Sequence, residues 1–121
     1  MPCSVLIVDD HPGFRARARA LLVAAGYEVV GEAADGESGV RDARDLSPDV
    51  VLLDVQLPDI TGFEVVRRVH SEPDPPAIVL ISSRDAGDYG SRIGRSGALG
   101  FISKSELTAG TLGTVLEGSR R

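Results

Sequence analysis

The 121-residue chain has no tryptophan, one cysteine, one methionine, and only three Phe and two Tyr. A single cysteine excludes an internal disulfide framework and a cysteine-rich zinc site. Long apolar runs are missing as well. Segments 5–8, 50–53 and 77–81 hold four or five residues each, where a membrane-spanning helix takes about 20. The start, Met1-Pro2-Cys3-Ser4, lacks a basic stretch, and its apolar run ends at Asp9-Asp10, so it does not read as a signal peptide. A cytoplasmic protein with no membrane partner is the expectation. Nor is there an excess of positive charge: 13 basic against 18 acidic residues give −5. Phosphate backbones are held by clustered Lys and Arg, so direct nucleic-acid binding is not expected. The nucleotide-binding patterns G-x-x-x-x-G-K-[ST] and G-x-G-x-x-G are both missing. Lysine is nearly absent: twelve basic residues are Arg and one is Lys104.

What remains is an ordinary globular composition, 42% apolar and 26% charged. The length suits one domain, expected over residues 1–121 with a core at about 4–118. Five short, β-branched runs recur at 4–8, 28–33, 50–53, 77–81 and 99–102. The first, third and fourth are continuously apolar, as strands buried on both faces of a parallel sheet must be. The second and fifth are more mixed and suit flanking positions.

Helical patterns fill the gaps. Pro12 stands at a first helical position, followed by Phe14, Ala18, Leu21, Leu22 and Ala25 on one face, with Gly26 as the stop. Asp35 is placed as the cap of a second helix that turns Val40, Ala43 and Leu46 inward and is closed by Pro48. A third carries Phe63, Val66 and Val69 and ends before Pro73-Asp74-Pro75-Pro76. A fifth is expected from a cap at Ser105, with Leu112, Val115 and Leu116 inward. The fourth, across 85–95, is weak because it contains Gly87, Gly90 and Gly94. Strand–helix alternation of this kind predicts an α/β, doubly wound, flavodoxin-like parallel sheet in order 2-1-3-4-5 with five flanking helices.

In such sheets, ligands gather at the carboxyl ends of strands. Asp9 and Asp10 follow the first run, Asp54 the third, Ser82 and Ser83 the fourth, and Ser103 and Lys104 the fifth. Singly, each is an ordinary cap, loop or surface residue. Together they put three carboxylates, a hydroxyl and the only lysine on one edge. Like charges 4 Å apart cost about 4 kcal/mol at an effective dielectric of 20, so the trio calls for a cation. Mg²⁺ takes such oxygen ligands, and an Asp beside metal and lysine is a plausible nucleophile for an acyl phosphate. His11 is expected to face solvent, His70 to end a helix, and Cys3 to be a small buried residue.

These pieces resemble the receiver domains of two-component response regulators. The resemblance rests on Val5-Leu6-Ile7-Val8-Asp9-Asp10, on Leu53-Asp54-Val55-Gln56-Leu57-Pro58 with Gly62, on Leu80-Ile81-Ser82-Ser83, on Gly97-Ala98, and on Phe101-Ile102-Ser103-Lys104. It implies Asp54 as phosphoacceptor, and Asp9, Asp10, Asp54 and the Gln56 backbone carbonyl as the Mg²⁺ site. Ser82 is then the switch hydroxyl with Ser83 beside it, Phe101 the aromatic that moves with it, and Lys104 the phosphate contact. A histidine kinase is the implied partner, with self-catalysed phosphotransfer rather than turnover of a free substrate. The output is implied to be a DNA-binding effector beyond Arg121 or a separate protein, with phosphorylation-dependent dimerisation as a further state. Ser105 stands where many receivers have proline, so no cis peptide is expected there. That residue, Phe101 and the Ser82-Ser83 pair are similar to receivers of LuxR/NarL-type regulators. Three rival readings are a receiver-like constitutive interaction module, an aspartyl-phosphate hydrolase, disfavoured because Gln56 stands where that chemistry wants a second Asp, and a flavodoxin-like electron carrier, disfavoured because Asp9 and Asp10 stand where it needs a phosphate loop.

Overall fold

An apolar run buried on both faces can satisfy its backbone only by pairing with other strands. In the computed structural model, which describes residues 3–118, five runs do so in one parallel sheet. β1 (Ser4–Val8), β2 (Glu28–Ala33), β3 (Val50–Asp54), β4 (Ala77–Ser82) and β5 (Gly100–Ser103) lie in the order β2-β1-β3-β4-β5. The central pairs are in even register, Val5 opposite Val50 to Val8 opposite Leu53, then Val50 opposite Ala77 to Asp54 opposite Ile81. Between β1 and β2 the register slips after Val5, leaving Val30 as an extra residue in β2.

Helices cover both faces. Val5, Ile7, Leu52, Val79 and Ile81 pack with Phe14, Ala18 and Leu22 of α1 (Pro12–Ala24) and Leu112 of α5 (Ala109–Glu117). Leu6, Val8, Val51, Leu53, Ile78 and Leu80 pack with Ala43 of α2 (Gly36–Leu46) and Val65, Val66 and Val69 of α3 (Gly62–His70). Both sides of β1, β3 and β4 are therefore core, which is why their sequences do not alternate. Burying one such side chain contributes about 1.5–3 kcal/mol.

The expected starts hold for two helices. Pro12 opens α1, and the Asp35 carboxylate accepts from the Ser38 N–H at 2.7 Å. Several boundaries move. Asp54 and Ser82 are the last residues of their strands, and β5 is shifted one residue later than expected. Ser105 caps nothing: Lys104–Glu106 form a 3-10 turn, and Thr108 caps α5 through reciprocal hydrogen bonds with Thr111. Leu46 remains 43% exposed, although it lies over Gly31, where an added Cβ would be 2.9 Å from its Cδ1. Ala25 is the exposed C-cap of α1, and Cys3 is half-buried. No helix among the described residues is long and apolar enough to cross a membrane.

The fourth helical region departs most from a regular element. It splits into a 3-10 turn, Ala86–Tyr89, and a single-turn α4 (Arg92–Arg95), parted by Gly90 at φ +59°. A left-handed residue ends a right-handed helix, and neither piece contributes a fully buried residue. Few buried contacts mean a low local opening free energy. Native-state hydrogen exchange should therefore show amides of 84–97 among the least protected, and those of β1, β3 and β4 among the most. Protection of 84–97 matching the central strands would contradict this.

Candidate functional site

Three strand ends deliver charge to one point. Asp9, just after β1, is 0% exposed, and Asp54, closing β3, is 2% exposed. Lys104, just after β5, reaches both: its Nζ is 2.6 Å from Asp9 Oδ2 and 3.2 Å from Asp54 Oδ2. The same ammonium lies 4.6 Å from the centre of the Phe14 ring, so α1 helps aim it. The Gln56 N–H donates to Asp54 Oδ1 at 3.1 Å. Burial pushes the Asp54 carboxyl above its ordinary range. The Gln56 N–H and the Lys104 ammonium pull it down without cancelling burial, and the Asp9 charge adds to the rise.

The residues fit a divalent cation. Asp9 Oδ2 and Asp10 Oδ1 are buried and accept no hydrogen bond, since the Lys104 ammonium pairs with Asp9 Oδ2 by charge without hydrogen-bond alignment. Buried carboxylate oxygens that accept no hydrogen bond are costly. One ligand atom from each of Asp9, Asp10, His11 and Asp54 lies within 4.8 Å of the others. With all three carboxylates ionised, Lys104 leaves two negative charges, which is what one hard divalent ion neutralises. His11 is largely exposed, as expected, yet its Nδ1 stands 3.1 Å from Asp9 Oδ1 and 3.2 Å from Asp10 Oδ1.

Contacts that the sequence reading missed frame this cluster. Arg15 of α1 donates to the Asp9 carbonyl at 2.6 Å. Asp59, in the loop after β3, accepts from the N–H groups of Gly36 and Glu37 at 2.8 and 2.9 Å, tying that loop to the start of α2. Desolvation works against the Asp59 charge, but these N–H donors outweigh it and hold the carboxyl below its usual range. A Cβ on Gly62 would stand 2.5 Å from the Asp54 carbonyl oxygen and 2.8 Å from Val55 Cα. The loop carrying Gln56 can close over β3 only because position 62 has no side chain.

Ser82 is 0% exposed at the end of β4. Its Oγ accepts from the Arg84 N–H at 3.1 Å and shares a 2.6 Å hydrogen bond with the Tyr89 hydroxyl. Tyr89 packs against Phe101 of β5, with ring centres 5.9 Å apart. Ser83 is exposed, and the structure does not bring it to the cluster.

Residues 5–115 match the family model of the response regulator receiver domain. The chain belongs to that family. The receiver is 33% identical to the DNA-binding transcriptional activator EvgA of Escherichia coli over 103 residues, which is 85% of this chain and 50% of EvgA. It is similar in structure to the receiver domain of the response regulator NarL from Mycobacterium tuberculosis, with a TM-score of 0.82, 33% identity, and coverage of 95% of this chain and 97% of that one. A LuxR-family two-component response regulator from Aurantimonas aligns with a TM-score of 0.85 and 30% identity, over 97% of this chain and 84% of that one. The receiver spans about half the length of the curated relatives it matches. Receiver domains generally bind Mg²⁺ at an acidic pocket, and the Asp9-Asp10-His11-Asp54 cluster can hold a metal.

Two stability measurements check this geometry. Gly62→Ala should cost about 1–3 kcal/mol, lowering the urea midpoint, whereas Gly94→Ala, with nothing within 4 Å of the new Cβ, should be nearly neutral or stabilising. Asp54→Asn should raise the metal-free Tm by a few degrees at pH 7, roughly what 1 kcal/mol gives a domain of this size. The sign follows from the raised folded pKa: ionised Asp54 costs stability as pH climbs from the ordinary value of 3.8 through the folded one. Below pH 3.8 the gain should vanish. A destabilised Asn variant at pH 7 would contradict the assignment of burial as the dominant effect.

Proposed function

We propose that Asp54 is the phosphoacceptor of this receiver and takes its phosphoryl group from a histidine kinase. The observation carrying this reading is the Lys104 ammonium shared by Asp54 and Asp9, beside two buried carboxylate oxygens that accept no hydrogen bond. In the transfer, an Asp54 carboxylate oxygen attacks the donor phosphorus, so that an O–P bond forms as the donor's bond to phosphorus breaks. Lys104 already touches Asp54 Oδ2 and is placed to meet the phosphoryl oxygens as negative charge shifts among them. Asp9, Asp10, Asp54 and the Gln56 backbone carbonyl would hold Mg²⁺, which supplies positive charge against those oxygens. Asp9 is locked by Arg15 and the His11 N–H, so it orients rather than moves. The Ser82 hydroxyl then turns to the phosphoryl group, Phe101 follows, and the surface formed by β4, α4 and β5 changes.

This reading makes residues 1–121 one signalling unit in the cytoplasm. The EvgA likeness supports an output that is a DNA-binding effector domain, with a separate output protein as the alternative. Phosphorylation-dependent dimerisation belongs to the same proposal. The receiver itself, at −5, would not touch the nucleic acid.

With acetyl phosphate and Mg²⁺, intact-mass spectrometry should show one added phosphoryl group on the wild type and none on Asp54→Asn, whose amide is a poor nucleophile. Asp10→Ala should weaken Mg²⁺ binding by about tenfold or more and slow the reaction, leaving metal-free stability unchanged or higher. Normal labelling of the Asn variant would overturn the assignment, as would equal Mg²⁺ affinity in Asp10→Ala. Beryllium fluoride with Mg²⁺ should raise hydrogen-exchange protection in 84–97, and no change there would favour a constitutive interaction module.

A further inference from the structure

Ser82 has one hydroxyl proton and, at 0% exposure, no solvent to give it to. A buried donor left without an acceptor is costly, so the proton must rest on a protein atom. Of the two groups bonded to Ser82 Oγ, the Arg84 N–H is itself a donor and can take nothing. The other is the phenol oxygen of Tyr89 at 2.6 Å, which accepts as well as donates. Donation from Ser82 to Tyr89 is the arrangement that leaves the buried Ser82 proton with an acceptor.

Tyr89 is held where it can do this. Its ring meets Phe63 of α3 edge-on, with centres 5.8 Å apart, and leans on Phe101. The Arg92 guanidinium covers the Phe63 ring at 4.3 Å. The 3-10 turn that carries Tyr89 is stitched at its start by Asp85 and Asp88 and released at its end by Gly90. Phe101 has no hydroxyl, so the side-chain link from Ser82 to the 84–97 segment runs through Tyr89, beside the main-chain bond from the Arg84 N–H.

We propose that Tyr89 is a positioning residue that holds the Ser82 proton in the unmodified receiver, so that Tyr89 and a phosphoryl group on Asp54 compete for that one proton. The inference rests on Asp54 being the phosphoacceptor and adds what opposes the switch. When Ser82 turns to the phosphoryl group, the Ser82–Tyr89 bond is given up. Tyr89 then keeps only its ring packing, which lets the glycine-flanked turn repack into the more protected arrangement of the activated receiver.

The test is a double-mutant cycle read by ¹⁹F NMR titration of beryllofluoride with saturating Mg²⁺. Tyr89→Phe keeps the ring stack and removes only the acceptor. It should tighten beryllofluoride binding by about two- to tenfold, the range that losing one resting-state hydrogen bond allows. In a Ser82→Ala background the same substitution should change nothing, because the proton in dispute is gone. An independent readout uses the absence of tryptophan: in Tyr27→Phe, Tyr89 is the sole tyrosine, and its emission should change when beryllofluoride and Mg²⁺ are added. Equal or weaker binding by Tyr89→Phe, the same gain in the Ser82→Ala background, or unchanged emission would overturn the proposal. If the wild type itself takes up no beryllofluoride relative to Asp54→Asn, the phosphoacceptor reading falls, and the role of Tyr89 falls with it.

Discussion

An ammonium group wedged between two buried carboxylates sets the geometry of this receiver's working edge. Asp9 and Asp54 arrive on neighbouring strands with almost no solvent between them, and Lys104 arrives from the opposite rim of the sheet. Two carboxylates at such separations repel by several kcal/mol at an effective dielectric near 20. The lysine offsets part of that and draws the ends of β1, β3 and β5 toward one point. It does not neutralise the cluster. The raised Asp54 carboxyl and the Asp9 and Asp10 oxygens that accept no hydrogen bond mark an arrangement held short of its electrostatic optimum. Active sites commonly keep such a deficit because what relieves it is the cation or ligand they bind.

Around that wedge, the loops are fixed by main-chain contacts. Gly62 lets the backbone of the β3–α3 connection lie against β3, and its N–H donates to the Val55 carbonyl at 2.8 Å. Asp59 then fastens the same loop to the start of α2. Gln56, whose N–H reaches Asp54, is thereby held from both ends of its loop. Arg15 does the equivalent for Asp9 from α1. The Ser82 side is looser: one aromatic cluster and a broken helical segment stand where the other strand ends lead into unbroken helices of nine to thirteen residues.

The sheet order and the charged cluster were legible in the sequence because both follow from local patterns. Uninterrupted apolar runs at residues 5–8, 50–53 and 77–81, parted by helical patterns, read as central strands, and the residues after them then share an edge. Helix starts were less legible. Ser105 and Thr108 are both acceptable caps by residue type, and only Thr111, three residues beyond Thr108, decides between them through its reciprocal bonds. Leu46 satisfied the helical period but sits on the rim of the core, where Gly31 leaves it a shelf rather than a pocket. Tyr89 was missed because the seven residues that separate it from Ser82 run through a bend and a 3-10 turn rather than a regular helix, so no helical period places the two side chains together. Asp59 was missed for a similar reason: its partners, 22 and 23 residues earlier, become neighbours only after the sheet has formed.

The register slip in β2 bears on how copies of this molecule meet. β2 and β5 are the two rims of the sheet, and a rim offers unpaired backbone groups to any other strand. On β2 the extra residue Val30 breaks the even spacing a docking strand would need. Glu28 and Glu32 add exposed charge on the same rim, with Arg15 and Arg19 of α1 gathered on Glu32. β5 is only four residues long and runs straight into a 3-10 turn. Both rims are thus poor templates for strand addition, which protects a sheet with an almost wholly apolar centre from aggregating through its edges.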